Sequence, residues 1–150
     1  MKKNIYAAFI ILSILGFLLS VYLTIEHYVK GKAPCDINQT VSCTLVNTSI
    51  YSEILGIPVA FFGIVYFLAL LLLSRKSYKE KTTKRAKHLM YFNISGLLFV
   101  VYLIIAEILL NAICPACTLV HLIVLSALGL SIYAYKKVEL NDHVPESPKE

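Results

Sequence analysis

Four stretches of this chain, residues 5–28, 57–73, 89–111 and 115–135, are apolar over lengths that reach or approach the width of a bilayer. A spanning helix takes about 20 mostly apolar residues to cross about 30 Å of hydrocarbon. With 150 residues, 58 % of them apolar, no length remains for a second domain. The expected fold class is all-α: an integral membrane four-helix bundle filling residues 1–137. The first stretch follows Met1-Lys2-Lys3 and resembles a secretory signal in layout. It is too long for such a signal and has no small-residue cleavage site before Lys30, so it is expected to stay as a helix.

The net charge of +5 is concentrated at the ends of the apolar stretches. Arg75, Lys76, Lys79, Lys81, Lys84, Arg85 and Lys87 crowd the connection 74–88, while Lys2, Lys3, Lys136 and Lys137 flank the first and last stretches. By the positive-inside rule these sites lie in the cytoplasm. The expectation is a multi-pass protein of the cell membrane with both termini cytoplasmic, a basic cytoplasmic loop at 74–88 and a polar, disordered cytoplasmic tail at 138–150. The basic connector reads first as a solvated topogenic loop, with contact to anionic lipid headgroups as an addition, and the distribution argues against a nucleic-acid partner. All four cysteines then face the periplasm or exterior, where disulfides persist.

The outward loop 30–56 carries Cys35 and Cys43 with seven residues between them, a spacing that a disulfide closes easily. Leu45, Val46, Ile50, Ile54 and Leu55 have an irregular helical spacing, so a short amphipathic helix is expected within 44–55. Pro58 suits the first turn of the second span. The other two cysteines form Cys114-Pro115-Ala116-Cys117, where the fourth span begins. Proline in a first turn costs no hydrogen bond, Cys114 stands at the cap, and the positive end of the helix dipole favours thiolate over thiol. A CxxC pair so placed is a redox dithiol. A mobile dithiol beside an anchored one suits a disulfide relay, because exchange runs by thiolate attack through a mixed disulfide. The anchored pair then needs an acceptor, and a bundle walled by Leu, Ile and Phe favours a lipid-soluble oxidant such as a quinone.

These features together resemble the vitamin K epoxide reductase family, in its prokaryotic quinone-dependent form. The resemblance rests on the loop cysteines seven residues apart, Thr48 and Ser49 shortly after the second, Gly56-Ile57-Pro58 entering the second span, and the CxxC opening the fourth. It implies a membrane enzyme that takes electrons from a soluble thioredoxin-like thiol oxidase and passes them to ubiquinone or menaquinone, supporting disulfide formation in exported proteins. Cys35 would exchange with the partner, Cys43 with Cys114, and Cys117 would face the quinone. Thr48 or Ser49 would supply a hydroxyl near that site. The chain departs from the vitamin K-reducing animal members in carrying His121 four residues after the last cysteine in place of tyrosine, and in lacking asparagine across 57–62. The bacterial disulfide-bond protein B family, also four-span, has its cysteine pairs in the reverse order.

Blander readings stand beside these. The alternative is that the cysteines are structural staples in a non-catalytic membrane protein, a reading that the helix-start CxxC outweighs. A zinc site of cysteines with His121 is disfavoured by the long loop spacing, and no metal is expected. His121, an ionisable group inside a span, is a candidate hydrogen-bond donor to quinone or a helix-bonding residue. Glu107, Glu26 and His27 read first as polar groups at outer helix ends, and Asn93 as interhelical glue.

Overall fold

The computed structural model describes residues 3–29, 31–80 and 82–143. Four long helices form the bundle: α1 (Lys3–Val29), α3 (Val59–Glu80), α4 (Thr83–Leu110) and α5 (Pro115–His143). Between α1 and α3 lie a five-residue helix α2 (Cys43–Asn47), one 3-10 turn (Ile50–Ser52), and a hairpin of β1 (Glu53–Ile54) and β2 (Ile57–Pro58). All four long helices are long and apolar enough to cross a membrane. Their outer faces leave residues such as Ile11, Leu18, Val65, Leu72, Leu98, Ile108 and Leu122 exposed. In water such a belt would be a very large apolar patch; in lipid it is the ordinary outside of a bundle.

Inside, Phe9, Phe67, Leu70, Leu89, Val100, Val124, Ala127 and Ala134 make the main core. Small and hydroxyl residues let the helices approach, and the buried hydroxyls bond within their own helix, as Ser13 does to the Phe9 carbonyl (2.6 Å) and Ser131 to the Leu128 carbonyl (2.7 Å). Asn93 joins α4 to α3, accepting from the Tyr66 hydroxyl at 3.0 Å while its own amide donates to the Leu89 carbonyl. The basic side chains Lys3, Arg75, Lys76, Lys79, Lys84, Arg85, Lys87, Lys136 and Lys137 collect where α1 and α4 begin and α3 and α5 end; Lys81 lies outside the described residues. The four cysteines lie at the opposite end.

Several boundaries differ from the expected ones. The 74–88 connection is largely helical, with α3 reaching Glu80, α4 starting at Thr83, and an Arg85–Glu80 ion pair beside the turn. Arg, Lys and Glu are good helix formers, so the helices outrun the apolar stretches that hydropathy detects. In the same way α5 continues to His143, six residues into the supposed tail; 144–150 lie outside the described residues. The amphipathic helix expected across 44–55 ends at Asn47. Hydroxyls of Thr48, Ser49 and Ser52 turn back onto the carbonyls of Thr44, Val46 and Ser49, competing with helix propagation. Leu55 and Gly56, at φ 55° and 77°, then form the hairpin tip. Pro58 accordingly closes the hairpin, one residue before α3.

Candidate functional site

The loop that carries the first cysteine pair is knotted rather than slack. The Asp36 carboxylate accepts from the N–H groups of Ala33 (3.0 Å) and Thr44 (3.0 Å) and from the hydroxyls of Ser42 (2.8 Å) and Thr44 (2.6 Å). Those bonds, Thr44's first, hold its acidity well below the usual carboxylate range. Asn38 turns the chain by accepting from the N–H groups of Thr40 and Val41. Thr40–Ser42 then lies alongside the segment before the CxxC: Ile113 N–H donates to Thr40 O (2.8 Å) and Ser42 N–H to Ile113 O (3.1 Å). Each segment runs directly into a cysteine, Cys43 on one side and Cys114 on the other.

Consequently all four cysteines meet in one compact cluster with Leu23, Ala33, Val46, Ala112 and Ala116. Cys35 and Cys43 are joined as a disulfide, and Cys114 and Cys117 are free thiols, both buried. Cys35 is the half-buried member of the set, with the Tyr22 hydroxyl 3.9 Å from its sulfur. α4 stops because Asn111 takes a left-handed conformation (φ 50°), after which three residues lead to α5. The Glu107 carboxylate accepts from the Cys114 N–H at 3.0 Å, fixing the backbone of the first CxxC residue. Cys114 caps α5 as expected: its sulfur accepts from the Cys117 N–H at 3.2 Å. The hydrogen bond from the Cys117 thiol holds the Cys114 thiol below its ordinary acidity range, against the opposing effects of burial and Glu107.

Below the cluster lies a cavity of about 80 Å³ open to the centres of water-sized spheres. By that measure one water needs roughly 10–15 Å³, so a larger group fits. Its walls are Leu23, Val59, Phe67, Phe99, Val100, Leu103 and Val124, with small residues Ser20, Ala60, Gly63, Gly96 and Ala106 making the room. Cys117 and His121, one turn apart on α5, share one wall, and Val46, Asn47, Ser49, Tyr51 and Ser52 roof it from the outer end. His121 is buried, and its Nε2 has no hydrogen-bond partner. A buried polar atom without a hydrogen-bond partner costs free energy until something bonds it.

A sequence model of the vitamin K epoxide reductase family matches residues 7–132, from the first turns of α1 into the second half of α5. The chain belongs to the vitamin K epoxide reductase family. A search of curated proteins returned no match. As a family member it is a multi-pass membrane oxidoreductase with thiol-disulfide chemistry, of a family that handles quinone-like substrates. The fit of a quinone to this chain rests on its own residues: an apolar cavity, a cysteine on its wall, and an unpaired imidazole nitrogen one turn deeper.

Of the residues singled out from sequence, the structure gathers Cys35, Cys43, Cys114 and Cys117 in one cluster and places Cys117, His121 and Ser49 on the cavity. Thr48 does not line it; the residue is exposed, with its hydroxyl bonded to the Thr44 carbonyl. Sequence reasoning passed over Tyr22, Asp36 and the roof residues Asn47 and Tyr51. Asp36 carried no local signal: its bonds to Ser42 and Thr44, at the start of α2, form only once the loop closes.

Proposed function

We propose that this protein oxidises a soluble thioredoxin-like partner and passes the electrons through its two cysteine pairs to ubiquinone or menaquinone, supporting disulfide formation in exported proteins. The cysteine end of the bundle faces the periplasm or exterior and the basic end the cytoplasm, as the charge distribution favours. The observation that carries the reading is the wall that Cys117 and His121, whose Nε2 has no partner, share on an apolar cavity beneath four clustered cysteines.

The chemistry follows from the placements. A partner thiolate attacks the Cys35 sulfur, the more accessible of its pair, and the resolved mixed disulfide leaves the partner oxidised and Cys35/Cys43 reduced. Cys43 thiolate then attacks Cys114 of an oxidised Cys114–Cys117 pair, expelling the Cys117 thiolate. Cys35 resolves the Cys43–Cys114 bond, which regenerates the loop disulfide and leaves Cys114 and Cys117 as the reduced pair. A bound quinone supplies the two-electron, two-proton acceptor. Cys117 presents its sulfur to the cavity, His121 offers an N–H to a ring oxygen, and the apolar walls exclude water that would solvate either group.

The test is thiol-dependent quinone reduction by the purified protein. Cys117→Ala is inactive with every donor, whereas Cys35→Ala still accepts electrons from a small dithiol but no longer from a thioredoxin-like protein. His121→Ala raises KM for quinone about tenfold, the loss of one good hydrogen bond. Absence of thiol-dependent reduction with both ubiquinone and menaquinone analogues would overturn the proposal and leave the disulfide as a structural staple.

A further inference from the structure

The buried side chain of His27 is one of the contacts that hold the roof of the cavity to α1. His27, 5 % exposed at the end of α1, places Nδ1 2.7 Å from the Asn47 carbonyl oxygen and Nε2 3.0 Å from a Glu53 carboxyl oxygen. A carbonyl only accepts, so Nδ1 carries a hydrogen. The second contact also needs a hydrogen, supplied either by the ring or by the carboxyl. A neutral imidazole facing a carboxylate cannot make both bonds. The arrangement therefore exists only while the His27–Glu53 pair holds one proton more than a neutral histidine beside a carboxylate.

The elements that this contact joins roof the cavity. Val46, Asn47, Ser49, Tyr51 and Ser52 line it, and Glu53 is the next residue, paired with Pro58 in β2 just before α3. We infer that His27 and Glu53 are positioning residues that seat this roof over the cavity by a proton-dependent latch, so that quinone affinity falls when alkaline pH removes the shared proton. The inference rests on the reading of the cavity as the quinone site. Two other bonds keep the roof attached when the latch opens: the Asn47 amide to the Leu23 carbonyl at 2.6 Å, and the Tyr102 hydroxyl on α4 to the Tyr51 carbonyl at 2.9 Å. The effect is thus a loosening and not a loss of the roof. Among the described contacts of His27, the titratable groups are Glu53 from β1 and the edge-on ring of Tyr28 on α1, at 5.4 Å; α2 offers only the Asn47 carbonyl. Glu26, its neighbour on α1, interacts with Tyr22.

Glu53→Gln separates the latch from general stability. A glutamine amide donates to a neutral imidazole and its carbonyl accepts from a charged one, so this variant stays latched at either protonation state. Steady-state reduction of a short-chain benzoquinone is measured for the wild type, Glu53→Gln and Glu53→Ala between about pH 6 and about pH 8.5. Hydrogen exchange of the 45–57 segment is followed in parallel by mass spectrometry. The wild-type KM, divided by that of Glu53→Gln at the same pH, rises about tenfold across this range, the worth of a charge-assisted hydrogen bond, while the corresponding kcat ratio moves less than about twofold. Glu53→Ala has a raised KM at both ends, and wild-type exchange protection of 45–57 falls relative to Glu53→Gln as pH rises. A KM ratio and an exchange ratio that both stay flat with pH overturn the latch. The pH-dependent exchange difference without quinone turnover in any variant overturns the quinone reading and leaves the latch standing.

Discussion

Replacing Gly16 by alanine tests how tightly α1 and α3 are packed beside the cavity. A Cβ built at Gly16 falls 2.3 Å from Cε1 and Cζ of Phe67 and 2.6 Å from Cδ1. Carbon atoms rest at about 3.5–4.0 Å, so the ring has to retreat by more than about 1 Å. Phe67 is 1 % exposed, and the free space beside it is the cavity that it lines. Overpacking of this kind costs about 1–3 kcal/mol. Alanine returns about 0.5–1 kcal/mol through its better helix propensity, leaving a net loss of about 1–2 kcal/mol. Reversible unfolding in mixed micelles of rising SDS content measures it for Gly16→Ala, Phe67→Leu and the double variant. Because the clash needs the ring, the double variant recovers at least about 1 kcal/mol relative to the sum of the singles. A ring displaced into the cavity also raises KM for quinone with little change in kcat. Additive single effects, within about 0.3–0.5 kcal/mol, would refute the close approach of this glycine to this ring.

Two further outcomes follow from the cysteine end. Asp36→Asn removes the acceptor of two loop bonds, so the Cys35–Cys43 disulfide of the variant is reduced by dithiothreitol faster than that of the wild type. In the wild type the acidity of Asp36 is strengthened on folding, so its contribution is present above the unfolded carboxylate value of about 3.9 and fades only as pH falls below it; equal reduction rates at neutral pH would contradict the knot. In a Cys35→Ala/Cys43→Ala background, alkylation of Cys114 titrates below the ordinary thiol range, and Cys117→Ala moves its midpoint upward because the stabilising thiol hydrogen bond is lost. A midpoint that does not move would remove Cys117 as the cause.

The spans were legible because a bilayer demands long apolar runs, and hydropathy measures that demand directly. Helix continuation past the hydrocarbon, as from Ser74 to Glu80 and from Lys136 to His143, depends on propensity and leaves no hydropathic trace. The CxxC was legible as a helix-capping dithiol because Pro115 and the apolar run fix the local structure around it. The 44–55 segment was not, since its outcome turns on which hydroxyls of Thr48, Ser49 and Ser52 recapture backbone carbonyls. Nor was the cavity: Ser20, Gly63, Gly96 and Ala106 come from three helices and reveal themselves as one space only after packing. The His27 contacts with Asn47 and Glu53 span 20 and 26 residues, and no local pattern announces them.

The loop is the point at which structure changes the mechanism most. A slack strap would carry both Cys35 and Cys43 between the partner and the bundle. Here Cys43 is 1 % exposed at the start of α2, with Ser42 bonded to Ile113 beside Cys114, so it shares the buried cluster of the anchored pair. Cys35 lies on the other arm of the loop, half-buried, and the Asp36 knot stands between that arm and the start of α2. On the proposed relay, reductant would enter at Cys35 beside the Asp36 knot, and onward transfer from Cys43 to Cys114 would stay within the buried cysteine cluster. Burial of Cys114 and Cys117 would then leave Cys35 as the sulfur that a donor reaches first. The knot consists of two backbone N–H and two hydroxyl bonds to one carboxylate, each individually modest.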